Sequence, residues 1–141
     1  MSVSAREYAV KLHADQMYGD KPYSFHLEQV ALTVIRDNYF RSANTLNILV
    51  DVAYLHDVME DCGVSYHDLA DLFGVVVAGA VDLLTKKDGV PYGKYIEGIK
   101  RNFYTKVVKI ADTKANLKQS VLDNDRNRIV KYAKQLILLE D

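Results

Sequence analysis

One cysteine, Cys62, occurs in 141 residues, which excludes an intramolecular disulfide framework and a structural zinc site of clustered thiolates, and points to a reducing compartment. Only two prolines are present, Pro22 and Pro91, and no stretch is rich in glycine, serine or charge of one sign. Nothing reads as an interdomain linker and no internal repeat is visible, so the length fits one domain over residues 1–141. Charge of one sign is not in excess, with 18 Lys and Arg against 19 Asp and Glu, so no global field draws the chain to nucleic acid or an anionic membrane. Long apolar runs are missing too. The longest, Phe73 to Val81, is interrupted by glycine and far short of a membrane span, and the opening Met1-Ser2-Val3-Ser4-Ala5-Arg6 lacks the apolar core of a signal peptide. The expectation is a cytoplasmic protein with neither nucleic acid nor membrane as partner.

What is present is helical periodicity. Tyr8, Ala9, Leu12 and Gln16 share a face behind a Ser4–Glu7 capping box, predicting a helix that fades near Tyr18-Gly19-Asp20. A second helix starts at His26 and runs to about Arg36, with the imidazole on the face of Val30 and Val34. A third runs from Ala43 to Asp61 and ends at Gly63. Ser65 and Asp68 box the start of a short helix through Asp71 that stops at Phe73-Gly74. The valines from Val75 to Val81 have strand character, but without partner strands their backbone groups have no ladder to join, and Ala78, Val81, Leu84 and Thr85 keep a helical stripe. Further helices are expected after Pro91 to about Phe103, through Val107 to Leu117 and from Arg126 to about Leu139. The whole reads as all-α, a bundle of about eight helices.

The chemistry concentrates in Leu55-His56-Asp57-Val58-Met59-Glu60-Asp61. An inward-facing run of this kind is costly unless its charges are paired or bound to a metal. In a continuous helix His56, Asp57 and Glu60, with Asp61 beside them, make pairs at three and four spacing. His26 and Asp112 are the other inward polar residues, each in an apolar helix. Two histidines and two carboxylates from three helices can hold one divalent transition ion such as manganese, iron or zinc and leave room for water and a phosphoryl oxygen. Glu60 or Asp61 can then orient the water or carry its proton. Singly, each residue has a plainer reading. His26 suits a hydrogen-bonded core histidine, and Asp57 a partner of a lysine on another helix. Asp112 suits a partner of Lys109 or Lys114. His13 and His67 read as surface or supporting residues, and Cys62 as a small buried filler with no histidine placed as its base.

Four stretches together carry a resemblance. His13-Ala14-Asp15-Gln16 with Gly19 and Pro22-Tyr23 leads to His26. Ala53 to Asp61 follows, then Phe73-Gly74 through Leu84-Thr85-Lys86, and then Val108-Lys109-Ile110-Ala111-Asp112 with Asn116-Leu117. In this order the chain resembles the HD-domain metal-dependent phosphohydrolases, and among them the hydrolase domain of the RelA/SpoT guanosine tetraphosphate enzymes, including their small stand-alone forms. The resemblance implies an all-helical HD-type fold, one manganese ion on His26, His56, Asp57 and Asp112, and Glu60 and Asp61 acting on the attacking water. It also implies removal of pyrophosphate from the 3' side of a guanosine nucleotide, with Asn116, Tyr92 and Tyr95 at the pocket.

The chain departs from that family between Gln16 and Pro22, where basic residues including arginine are usual and Met17, Tyr18 and the later Lys21 stand instead. Thr113 likewise follows Asp112 where arginine is common. An arginine fork is the best bidentate phosphate partner, and the Tyr18 hydroxyl does not replace its charge, although its ring can stack on a base. The remaining candidates for binding an anionic substrate are Lys21, Lys86 with its neighbour Lys87, Lys109 and Arg101. Three readings follow: a (p)ppGpp-type 3'-pyrophosphohydrolase or a phosphatase on another small nucleotide; an HD scaffold that binds nucleotide in a regulatory role with little or no turnover; and a structural helical domain whose acidic cluster is paired internally. Ten tyrosines suit either a homo-oligomer surface or a pocket rim.

Overall fold

The computed structural model describes residues 3–141; Met1 and Ser2, the start of the segment read against a signal peptide, lie outside the described residues. Nine helices and one short hairpin occur among the described residues: α1 (Ala5–Leu12), β1 (Met17–Tyr18), β2 (Lys21–Pro22), α2 (Tyr23–Asn38), α3 (Ala43–Leu55), α4 (Val58–Cys62), α5 (Tyr66–Phe73), α6 (Val75–Leu84), α7 (Tyr92–Arg101), α8 (Phe103–Leu122) and α9 (Arg126–Glu140). No helix among the described residues is long and apolar enough to cross a membrane.

The expected caps form. Ser4 accepts from the Glu7 amide and Ser65 from the Asp68 amide, so each satisfies a donor orphaned at its helix start. The valine run is helix α6, and Val77, Ala78, Ala80, Val81 and Leu84 face inward. Helix α2 starts at Tyr23, ahead of the expected His26, and α8 runs from Phe103 to Leu122, beyond the expected Val107 to Leu117 at both ends; two further differences shape the site. The first helix ends at Leu12, not near Tyr18, because the chain turns through Gly19 at φ +62° to pair Met17 with Pro22 and Tyr18 with Lys21. The expected helix over 43–61 is broken at His56 and Asp57 into α3 and α4, which raises the number of helices from about eight to nine.

Helix α2 lies at the centre and packs on α3 and α8, while α9 lies along α8 and α5 along α6. Leu27, Val30 and Val34 of α2 share one buried core with Leu49, Val52 and Leu55 of α3, Val81 of α6 and Val108 of α8. The three central helices are therefore fixed on one another by apolar burial, at about 1.5–3 kcal/mol for each fully buried large aliphatic side chain. Their polar residues His26, His56 and Asp112 project from this frame.

Gly63 closes α4 in the left-handed region at φ +69°, its amide donating to Val58 O. A Cβ there meets nothing within 4 Å, so Gly63→Ala is expected to cost only the backbone strain, about 1–2 kcal/mol. Urea unfolding measures this, and an unchanged midpoint would contradict the assignment.

Candidate metal centre

The site begins with the helix break. His56 is the last residue with helical angles, and Asp57 sits at φ −109°, ψ 0°, in the sparsely allowed bridge region. Ending α3 there leaves its last carbonyls without amide partners, and His56 Nδ1 bonds Ala53 O at 2.7 Å. A carbonyl only accepts, so Nδ1 carries the proton, and in a neutral ring the Nε2 lone pair is left to point the other way. It points at carboxylates: Nε2 lies 3.0 Å from Asp57 Oδ2 and 3.4 Å from Asp112 Oδ1. His56 is 4% exposed, and this Nε2 has no hydrogen-bond partner. A lone pair facing two carboxylates in a buried site is repulsive unless a cation sits between them, either a proton on Nε2 or a metal ion.

Helices α2 and α8 complete the cluster. His26 Nε2 bonds Asp112 Oδ1 at 2.9 Å, and the ligand atoms offered by His26, His56 and Asp112 all lie within 4.8 Å of one another, all three residues buried. These nitrogen and oxygen donors suit a divalent transition ion. Three of the four residues expected around a metal thus meet directly. Asp57 adjoins them through His56, and its Oδ2 also accepts the Tyr23 hydroxyl proton.

The surrounding groups hold these charges. Burial alone would push the Asp112 carboxyl upward, but Lys109, His56 and the His26 hydrogen bond outweigh it and keep it well below the ordinary range. Asp57 follows the same balance, burial against His56, and is lowered to about 2. Burial opposes the His56 imidazolium, yet Asp57 and Asp112 win and raise its pKa well above the usual value. Lys109 Nζ donates to Asp112 Oδ2 at 3.2 Å and keeps its charge despite burial. The Lys109 partnership considered for Asp112 in the sequence is therefore real, and it coexists with both histidines. Asn116 Nδ2 donates to Asp112 Oδ1 at 3.2 Å, and its carbonyl accepts from Tyr18 OH at 2.7 Å. The Tyr18 ring stacks on His26 at 4.6 Å and 15°, so it forms a wall of the cluster.

Glu60 and Asp61, read as water-handling residues, are both exposed on α4. Although the residue is exposed as a whole, partial desolvation of its carboxyl, then Asp57 and Asp61, raise the Glu60 pKa, while the Lys86 backbone amide and Lys109 oppose this. Gln16 Nε2 holds Asp61 Oδ2 at 3.0 Å. Among the expected substrate contacts, Lys86 has an exposed side chain, as do Lys87 and Arg101. Tyr92 is 44% exposed, its hydroxyl accepting from Gln135 Nε2 at 2.5 Å. Lys21 Nζ rests 5.2 Å above the Phe25 ring.

Of three further residues near the cluster, His13 matches the supporting half of its surface-or-supporting reading, whereas Tyr23 and Arg128 were not singled out residue by residue. His13 is buried at 2% exposure, not on the surface, and its Nδ1 meets Gln16 Oε1 at 2.7 Å, so it orients the amide that holds Asp61. It also lies 3.6 Å from Cys62 Sγ, a histidine neighbour the sequence reading did not give this half-buried thiol. Tyr23 was visible only as part of Pro22-Tyr23. Arg128 of α9 lines the cleft beside Tyr18 and Lys21; an arginine a hundred residues from the hairpin carries no local signal of this placement.

No family model and no curated protein matches the chain. Among solved structures it is similar to one described as a metazoan ortholog of SpoT that hydrolyzes ppGpp and plays a role in starvation responses. The TM-score is 0.75 at 24% identity, over 96% of this chain and 83% of that one. The two share one fold. The likeness bears out the expected all-α, HD-type bundle.

A pH dependence follows from His56. A group whose folded pKa is raised stabilises fully below its unfolded value, about 6.5, and that contribution is lost as pH rises through the folded value. In chelator, wild-type protein is expected to lose thermal stability as pH rises above about 6.5, and His56→Gln to flatten the slope. The lowered carboxylates act only in the acid range and leave this window alone. Melting temperatures across pH 6–10 in chelator check it; a flat wild-type profile contradicts it.

Proposed function

We propose that this chain is a metal-dependent phosphohydrolase, and that its reaction removes pyrophosphate from the 3' side of a guanosine tetraphosphate-like nucleotide. The observation that carries the reading is the buried His56 Nε2, aimed by Ala53 O at two carboxylates and without a hydrogen bond of its own. The shared fold with a ppGpp hydrolase supports the reaction class. His26, His56, Asp57 and Asp112 are the residues that would hold the ion, with manganese the first choice. Such an ion supplies acidification of water and polarisation of the phosphoryl oxygen.

The chain's own residues do the rest. Asp57 and Asp112 stay ionised at neutral pH and so offer charged oxygens. Tyr23 fixes Asp57, while Lys109 and Asn116 fix Asp112, so the donor set is oriented before substrate arrives. Glu60, its pKa raised by desolvation and by the nearby Asp57 and Asp61, accepts the proton that the attacking water loses, and Asp61, held by Gln16, positions that water. A polyanionic substrate needs positive charge near these carboxylates. Lys109 supplies it inside the site, and Lys21 and Lys86 at its edge. Tyr18 and Asn116 border the nucleotide, and Tyr92 lies at the outer rim.

The Tyr18 ring stacked on His26 narrows one side of the site, which favours as a second reading phosphate release from a smaller nucleotide. Product identification separates the two. Purified protein with manganese and guanosine tetraphosphate is expected to release pyrophosphate. Asp57→Ala and Asp112→Ala should each lose bound metal and more than about 100-fold of the rate, whereas Glu60→Gln should keep the metal and lose about 10²- to 10⁴-fold in kcat. Turnover that survives both aspartate substitutions would sink the mechanism, and orthophosphate as sole product would favour the second reading.

A further inference from the structure

A third imidazole, His13, lies beside the metal centre without joining its donor set. It caps the end of α1 and is 2% exposed. Its carbonyl accepts from the Gln16 amide, and the Gln16 carbonyl accepts from the Tyr23 amide, each at 2.9 Å. His13, Gln16 and Tyr23 are thus tied through their backbones, and their side chains leave this unit in two directions.

The proton positions along the first direction follow from its far end. The Asp61 carboxylate only accepts, so the group facing its Oδ2 at 3.0 Å is the Gln16 amide nitrogen. That turns the Gln16 carbonyl oxygen toward His13, 2.7 Å from Nδ1, and a carbonyl likewise only accepts. His13 Nδ1 therefore carries a proton, and donation runs from His13 to Gln16 to Asp61. Asp61 is exposed on α4, and its one side-chain hydrogen bond among the described residues is this one. Its direction depends on Gln16, and that of the Gln16 amide on His13. The second direction is a ring contact: the imidazole lies 4.6 Å from the Tyr23 ring at 41°, and the Tyr23 hydroxyl donates to Asp57. Cys62 adds no proton chemistry here. Its sulfur is 3.6 Å from Nδ1, but burial, then Asp61 and Asp57, push its pKa up, so it stays a thiol at neutral pH.

We infer that His13 is a positioning residue with two separable arms: its Nδ1–H holds the water-positioning Asp61 through Gln16, and its ring holds the metal-centre Asp57 through Tyr23. This rests on the phosphohydrolase reading. His13 acts only through these neighbours.

Two substitutions separate the arms. Phenylalanine keeps a ring against Tyr23 and has no donor, whereas asparagine carries an amide N–H near the place of Nδ1 and has no ring. In the full chain with saturating manganese and guanosine tetraphosphate, His13→Phe is expected to lose about 10- to 100-fold in kcat, with KM and manganese affinity unchanged. His13→Asn is expected to recover most of that kcat and to bind manganese about 10-fold more weakly. Gln16→Met leaves the buried ring in place and should repeat the loss of His13→Phe, the double variant losing no more than either. An unchanged kcat in His13→Phe and Gln16→Met, or losses that multiply in the double variant, overturns the inference while leaving the hydrolase reading intact. So does a His13→Asn as slow as His13→Phe, or one that binds manganese as wild type does. If wild type does not turn over guanosine tetraphosphate, the hydrolase reading fails, and nitrogen-15 NMR of the metal-free protein decides the coupling alone. A His13 ring protonated at Nδ1, with Gln16 side-chain amide protons that exchange faster in His13→Phe, upholds it. A ring protonated at Nε2 alone, or amide protons indifferent to His13→Phe, overturns it.

Discussion

The bond from His56 Nδ1 to Ala53 O is the constraint on which the candidate site depends. It does two things at once. It satisfies a carbonyl that the end of α3 would otherwise leave bare, and it fixes which ring nitrogen faces the cluster. Had α3 continued through Asp61, the Asp57 amide would have taken that carbonyl, and the imidazole would have been free to turn. The break at Asp57 therefore links backbone hydrogen bonding to the direction of a side-chain lone pair, and through it to the chemistry available at Nε2.

Everything around the cluster follows from the resulting charge problem. Asp57 and Asp112 approach one imidazole nitrogen in a buried space, an arrangement that costs several kcal/mol unless compensated. Lys109 offsets part of it from α8, Tyr23 donates to Asp57, and Asn116 donates to Asp112. A proton at Nε2 and a metal ion are alternative occupants of the remaining position, so metal affinity and pH are coupled there. The apolar contacts among α2, α3 and α8 hold the pieces in place against this repulsion, and the same packing that makes the core also builds the site.

Much of this is legible in the sequence. The caps at Ser4 and Ser65 and the helical character of Val75 to Val81 were visible because local hydrogen bonding and periodicity decide them. His26, His56 and Asp112 were visible because an ionisable residue on an apolar stripe is anomalous. The break at His56 was not, since apolar periodicity continues through Leu55 and Val58 and the reason for stopping lies in tertiary charge placement. The buried position of His13 depends on Gln16 and Asp61 across a loop, and the arrival of Arg128 beside Tyr18 depends on how α9 lies along α8. Neither leaves a local pattern. The arginine lacking between Gln16 and Pro22 was a real feature of the sequence, but whether another part of the chain brings positive charge to the same cleft is a question of packing.

The most direct measurement is anomalous diffraction from crystals grown with manganese, recorded where that element scatters strongly. The account predicts one strong site in contact with His56 Nε2 and flanked by His26, Asp57 and Asp112, with the His56 Nδ1 to Ala53 O bond retained. A site elsewhere, or His56 rotated so that Nε2 bonds to protein and the cluster stays closed on itself, would contradict it.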